Sequence, residues 1–160
     1  MRDQTKDEKV TNRLTTILFV IYLIALYWIL LLKLGVQFSY MATRRANLLP
    51  FSEPVIVTSE NILNVLIFVP LGIYAGILFK RWNWRKKLFF FFLLSLLVEA
   101  LQYILRLGAF DVTDIITNTT GGVIGLIILK AIEKAFGNSG KAQEFMNKIA
   151  AASTVLMILL

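Results

Sequence analysis

Four apolar stretches recur along the chain: Leu14 to Leu34, Asn61 to Phe79, Leu88 to Leu105 and Ile115 to Ile132. Each comes close to the roughly 20 residues that an α-helix, rising about 1.5 Å per residue, needs to cross a hydrocarbon core of about 30 Å. With 58% hydrophobic and 17% charged positions among 160 residues, the sequence is too apolar for a water-soluble domain to hide in one core. The excess must face lipid. The predicted architecture is all-α, a polytopic transmembrane helix bundle of four full spans in a single domain covering residues 1–160. A further apolar run, Ile149 to Leu160, has only 12 residues and predicts a partial fifth segment. The first span follows Arg2, Lys6, Lys9 and Arg13; its length, with no A-x-A site after it, predicts an uncleaved anchor.

The net charge of +7 sits beside the apolar runs, where Lys and Arg act as topology signals instead of nucleic-acid contacts. If the N-terminus is cytoplasmic, 13 of the 17 basic residues lie inside, leaving Lys33, Arg44, Arg45 and Arg106 outside. That bias predicts a multi-pass protein of the bacterial cell membrane with a cytoplasmic N-terminus. Tyr27 and Trp28 then fall at the outer interface and Trp82 and Trp84 at the inner one. The longest loop, Gly35 to Glu60, with Pro50 and Pro54, is extracytoplasmic. His and Cys are absent, which rules out disulfides, thiolate nucleophiles and zinc sites built on His and Cys.

The polar residues of three spans converge on the outer end. Ser95, Glu99, Gln102 and Arg106 are spaced 4, 3 and 4 apart, one stripe of a 3.6-residue helix. Asp114, Asn118, Gly121 and Gly125 repeat that spacing after Asp111 and Thr113. Asn61, Asn64, Phe68, Gly72 and Gly76 form a third stripe, polar first and small afterwards. Gly72-x-x-x-Gly76 and Gly121-x-x-x-Gly125 are helix-packing motifs before anything else, because small residues let backbones approach where lipid supplies no hydrophobic drive. Pro70 removes one helical donor and frees a carbonyl that neighbours must satisfy.

Glu99 is the most telling of these residues, since an acidic group in a span costs roughly 2.5–3.5 kcal/mol on insertion scales and by default marks a site. Its structural alternative is a protonated side chain bonded to Asn64 or Asn118 as interhelical glue. Asp111 and Asp114 open the fourth span, where an aspartate caps free N–H groups; the pair is also compatible with a hard, oxygen-only cation site beside Arg106. Arg44 and Arg45 suit either a phosphate or carboxylate ligand or ordinary interfacial anchoring. No metal and no cofactor are expected, and no catalytic residue is assigned.

Four pieces, in this order, resemble the VanZ-like family of small bacterial membrane proteins. They are Asn47-Leu48-Leu49-Pro50-Phe51, Asn64-x-x-x-Phe68-x-Pro70-x-Gly72, Glu99-x-x-Gln102 and Asp111-x-x-Asp114-x-x-x-Asn118-x-x-Gly121-Gly122. The resemblance covers most of the chain and departs in one place: the nearest arginine before Asp111 is Arg106, five positions earlier. It implies a polytopic cell-membrane protein associated with resistance to the glycopeptide antibiotic teicoplanin. The functional polar cluster is then Arg44, Arg45, Asn47, Asn64, Glu99, Gln102, Arg106, Asp111, Asp114 and Asn118.

Two classes of function follow. The first is a non-enzymatic envelope protein that meets a lipoglycopeptide at the bilayer. The second is a membrane-embedded enzyme or carrier for a lipid-linked envelope precursor, with Arg44 and Arg45 on its phosphate and Glu99 or Asp114 as base. The absence of a serine or cysteine elbow, a Walker loop or a histidine metal motif weighs against the second. The expected partners are the lipid bilayer and one of these two ligands, with no nucleic acid; a scaffold pairing through its glycine faces is a third class, and oligomeric state stays open.

Overall fold

The computed structural model describes residues 2–32, 45–51 and 59–159. Five helices and two short strands follow one another: α1 (Arg2–Leu32), β1 (Ala46–Asn47), α2 (Ser59–Leu78), α3 (Trp84–Leu105), β2 (Phe110–Asp111), α4 (Val112–Phe136) and α5 (Ser139–Leu159). Four of the helices contain stretches long and apolar enough to cross a membrane: Val10–Leu30, Ser59–Leu78, Trp84–Leu105 and Val112–Phe136. The predicted spans are therefore present, with boundaries shifted by a few residues because caps and turns, not hydropathy, end the helices.

Those ends are chemically explicit. The Asn83 side chain accepts from the Lys86 N–H at 2.9 Å and opens α3. Arg106, at φ 59°, closes it, and the Leu107 N–H turns back to the Gln102 carbonyl at 2.9 Å, a Schellman-type ending. At the other end of α4, Gly137 takes the left-handed conformation (φ 61°), which glycine adopts without the Cβ penalty. Asn138 then accepts from the N–H groups of Gly140 and Lys141, so the chain turns straight into α5.

Helices α2 and α4 form the central pair, joined through glycine. A Cβ on Gly72 would strike the Gly122 carbonyl, one on Gly121 the Val65 carbonyl, and one on Gly125 the Val69 carbonyl. Backbone thus lies on backbone at these three glycines. Gly122 makes room for α3 instead, since a Cβ there would come within 2.6 Å of the Phe91 ring. Phe68, Leu71, Phe91 and Leu26 fill the centre, whereas Phe89, Leu93, Leu97 and Ile24 are exposed on the outward faces, as lipid-facing side chains require. Tyr22 donates its hydroxyl to the Ile67 carbonyl at 2.8 Å, a polar contact in the turn that leads into Pro70.

The C-terminal apolar run is not a separate short segment. It is the second half of α5, which begins ten positions earlier and lies against α1. Its first half is held by a buried polar clasp: Gln143 Nε2 donates to Thr15 Oγ1 at 2.8 Å and to Asn12 Oδ1 at 2.9 Å, and Thr15 Oγ1 donates to Asn147 Oδ1 at 3.0 Å. Hydropathy alone misses this helix because the residues that dock it are amides.

Candidate functional site

The site lies at the end of the bundle where α3 stops and α4 starts. The two strands pair in parallel, Ala46 opposite Phe110 and Asn47 opposite Asp111, so the loop segment carrying Asn47 to Phe51 is sewn onto the entrance of α4. The Phe110 N–H donates to the Arg45 carbonyl at 3.0 Å. Asn47 Nδ2 donates to Asp111 Oδ2 at 3.0 Å, and the Phe51 N–H donates to Thr113 Oγ1 at 3.0 Å. Asp111 Oδ1 accepts from the Thr113 N–H at 2.7 Å as the N-cap of α4. Each carboxylate oxygen of Asp111 thus accepts a structural hydrogen bond, and among the described residues no group of three or more acidic side chains is placed to hold a metal ion.

Glu99, only 2% exposed, reaches the same knot from α3. Its Oε2 accepts from the Asp111 backbone N–H at 2.9 Å. Gln102, one turn on, donates to the Leu30 carbonyl at 2.9 Å and ties α1 to α3. Asn118 donates to Ser95 Oγ at 2.9 Å deeper in the α3–α4 seam, where its Oδ1 is buried without a hydrogen bond. The Asp111 backbone N–H is thus one partner of Glu99, a donor that the spacing of the polar residues does not single out.

Beside this knot opens a cavity of about 550 Å³ lined by Ile29, Leu30, Ser59, Glu60, Leu63, Asn64, Leu66, Ile67, Glu99, Gln102 and Asp114. Asn64 is 8% exposed, and its Nδ2 is buried with no hydrogen-bond partner. Among the described residues of the lining, Ile and Leu form the walls and the charged groups are Glu60, Glu99 and Asp114.

Of the predicted cluster, Asn64, Glu99, Gln102 and Asp114 meet at the cavity, Asn47 and Asp111 meet in the adjoining knot, and Asn118 lies below both. Arg45 is exposed, with its backbone carbonyl in the strand pair, and Arg44 lies outside the described residues. Arg106 does not continue the Ser95, Glu99, Gln102 stripe, because α3 ends at Leu105 and the left-handed Arg106 carries its exposed side chain off the helix face. Sequence reasoning missed Glu60 and Thr113 as site residues. Glu60 stands four positions before Asn64, a helical spacing that placed it on the same face; Thr113 follows a capping aspartate, where a hydroxyl commonly meets backbone.

Fold and site together define a helical membrane protein whose polar residues gather at one end of the bundle around a cavity with aliphatic walls. The chain belongs to the VanZ/LLP1 family, whose model matches residues 19–133 and so spans every described residue of the knot and the cavity. It is similar to Protein VanZ of Enterococcus faecium, with 35% identity over an alignment of 150 residues that covers 89% of this chain and 87% of that protein. No solved structure shows a significant match.

Proposed function

We propose that this protein resides in the bacterial cell membrane with its N-terminus cytoplasmic, and that it lowers susceptibility to lipid-tailed glycopeptides such as teicoplanin through the polar end of the bundle, which faces outward. The family supports the antibiotic role, and the distribution of basic residues supports the orientation. The observation that carries the reading is the cavity: family-like residues from α2, α3 and α4 (Asn64, Glu99, Gln102 and Asp114) line one space with aliphatic walls. Such a space suits an amphiphile that presents polar groups and a hydrocarbon tail together.

The enzymatic alternative needs an arginine pair holding phosphate beside a carboxylate base. Arg45 does not line the cavity, so no observation favours that alternative. The test is the inhibitory concentration of teicoplanin and of vancomycin, which lacks the acyl tail, for a sensitive Gram-positive host expressing the protein. Protection against teicoplanin alone is the expected result; equal protection against both, or against neither, contradicts the reading.

A further inference from the structure

We infer that the end of the bundle opposite the knot binds an anionic phospholipid, with its phosphate on the turn between α2 and α3 and its acyl chains along the outer face of α3. This end, where α3 begins at Trp84, shares no residue with the lining of the cavity. From Lys80 to Lys87 the chain reads Lys-Arg-Trp-Asn-Trp-Arg-Lys-Lys, with no acid among its five cations and two tryptophans. Lys80, Arg81, Arg85 and Lys86 are exposed. Lys87 is half-buried and lies near enough to Lys130 and Glu133 of α4 for their charges to act on it, so α4 adds one cation and one acid at the rim of the patch.

The turn that carries these charges is fixed in place. The Trp82 N–H donates to the Phe79 carbonyl at 3.0 Å, and the Trp82 ring stacks on Phe79 with centroids 4.4 Å apart and meets Phe90 edge-on at 5.7 Å. Both tryptophans keep exposed surface, as indoles at the headgroup level of a bilayer do. The cations do not serve the helix itself. Arg85, Lys86 and Lys87 stand in the first turn of α3, where no acid accompanies them and where positive charge opposes the helix dipole. An anionic headgroup offsets that opposition.

The side chains next along α3 decide the kind of anion. Phe89 and Phe92 follow Arg85 by four and seven positions and Leu93 follows Lys86 by seven, so each cation heads an apolar strip on its own helix face. All three apolar side chains are exposed. A phosphodiester bearing hydrocarbon chains engages cations and strip together, whereas free phosphate or an acidic protein segment engages the cations alone. A zwitterionic headgroup carries an amine of its own against the same cations. Lys and Arg clustered directly beside a membrane span attract anionic lipid in this way.

The test reads tryptophan fluorescence from the full chain in phosphatidylcholine nanodiscs. Trp28→Phe removes an exposed ring on α1 and leaves Trp82 and Trp84 as reporters. Brominated phosphatidylglycerol and brominated phosphatidylcholine, each raised through the same series of small fractions, serve as quenchers. Phosphatidylglycerol is expected to be preferred about tenfold, a factor that two basic side chains near an anionic surface supply. Arg85→Gln with Lys86→Gln is expected to bring the preference within about threefold of parity. Lys141→Gln with Lys148→Gln, on exposed positions of α5, removes the same amount of charge and is expected to leave it unchanged. Equal quenching by the two lipids overturns the inference, and because that comparison leaves every cation in place, a misfolded charge variant does not obscure it. An equal loss in both double variants also overturns it, by making the preference a property of net charge. So does sodium phosphate that relieves quenching more than sodium chloride at equal ionic strength, which would make the occupant a free anion.

Discussion

The backbone N–H of Asp111 donates to Glu99 Oε2 at 2.9 Å, and through that bond the buried acid of α3 is fixed to the residue that caps α4. The same Asp111 holds Asn47 of the segment between α1 and α2. A strand pair, a cap and an intramembrane acid are therefore one connected structure, and the cavity that opens beside it inherits its shape from that connection.

The knot should be cooperative. Asn47→Ala and Asp111→Ala each remove the side-chain bond between the two residues, and Asp111→Ala also removes the helix cap, worth about 0.5–2 kcal/mol. A double-mutant cycle on thermal unfolding in detergent is expected to give a coupling of about 1.5–3 kcal/mol, the range for hydrogen bonds to charged groups. Additivity within about 0.3 kcal/mol would show that the contact does not contribute.

The glycines of the α2–α4 seam should differ in tolerance according to what a methyl group meets. Gly72→Ala and Gly125→Ala drive a Cβ into backbone carbonyls of the facing helix, so the helices must separate, at a cost of several kcal/mol that abolishes the folded fraction or lowers Tm steeply. Gly76→Ala meets the end of the Leu129 side chain instead, which can turn away, and is expected to cost under about 1.5 kcal/mol. Tm values in that order check the seam; the reverse order contradicts it.

The clasp between α1 and α5 predicts a local effect. Thr15→Val removes the hydroxyl that links Gln143 and Asn147 and leaves two buried amides under-bonded, for roughly 1–3 kcal/mol each at most. Hydrogen exchange in α5 should accelerate at least tenfold while α2 and α4 keep their protection. Uniform acceleration across the bundle would mean that α5 is not a separate docking unit.

Orientation is accessible because the chain has no cysteine. Leu48→Cys, in the exposed segment after β1, is expected to react with a membrane-impermeant maleimide in intact cells. Arg81→Cys, in the exposed α2–α3 turn, is expected to react only after permeabilisation. The opposite pattern reverses the topology.

Much of this was legible in the residues, and what was not has particular causes. The spans could be read because lipid demands length and apolarity together, and the glycine seam because close helix approach demands small residues at a spacing of four. Glu99, Gln102, Asn64 and Asp114 could be placed on converging faces by helical period alone. Arg106 defeated the same period, because spacing assumes that the helix continues, whereas Leu107-Gly108 follows at once and the chain turns. For Asp111 the sequence offers cap and cation ligand alike; the structure shows the cap, with the Thr113 N–H on one oxygen and Asn47 on the other. The start of α5 escaped because Gln143 and Asn147 are polar in sequence and buried in structure, a pairing with Thr15 that no local window contains.

The central claim, that the polar end of the bundle carries protection, is tested most directly with Glu99→Ala and wild type at equal membrane levels in the same sensitive host. The measurement is the inhibitory concentration of teicoplanin. The account predicts that wild type raises it and that Glu99→Ala, which breaks the bond to Asp111 and alters the cavity wall, returns it to the level of the empty host. Full protection by the variant would contradict the account.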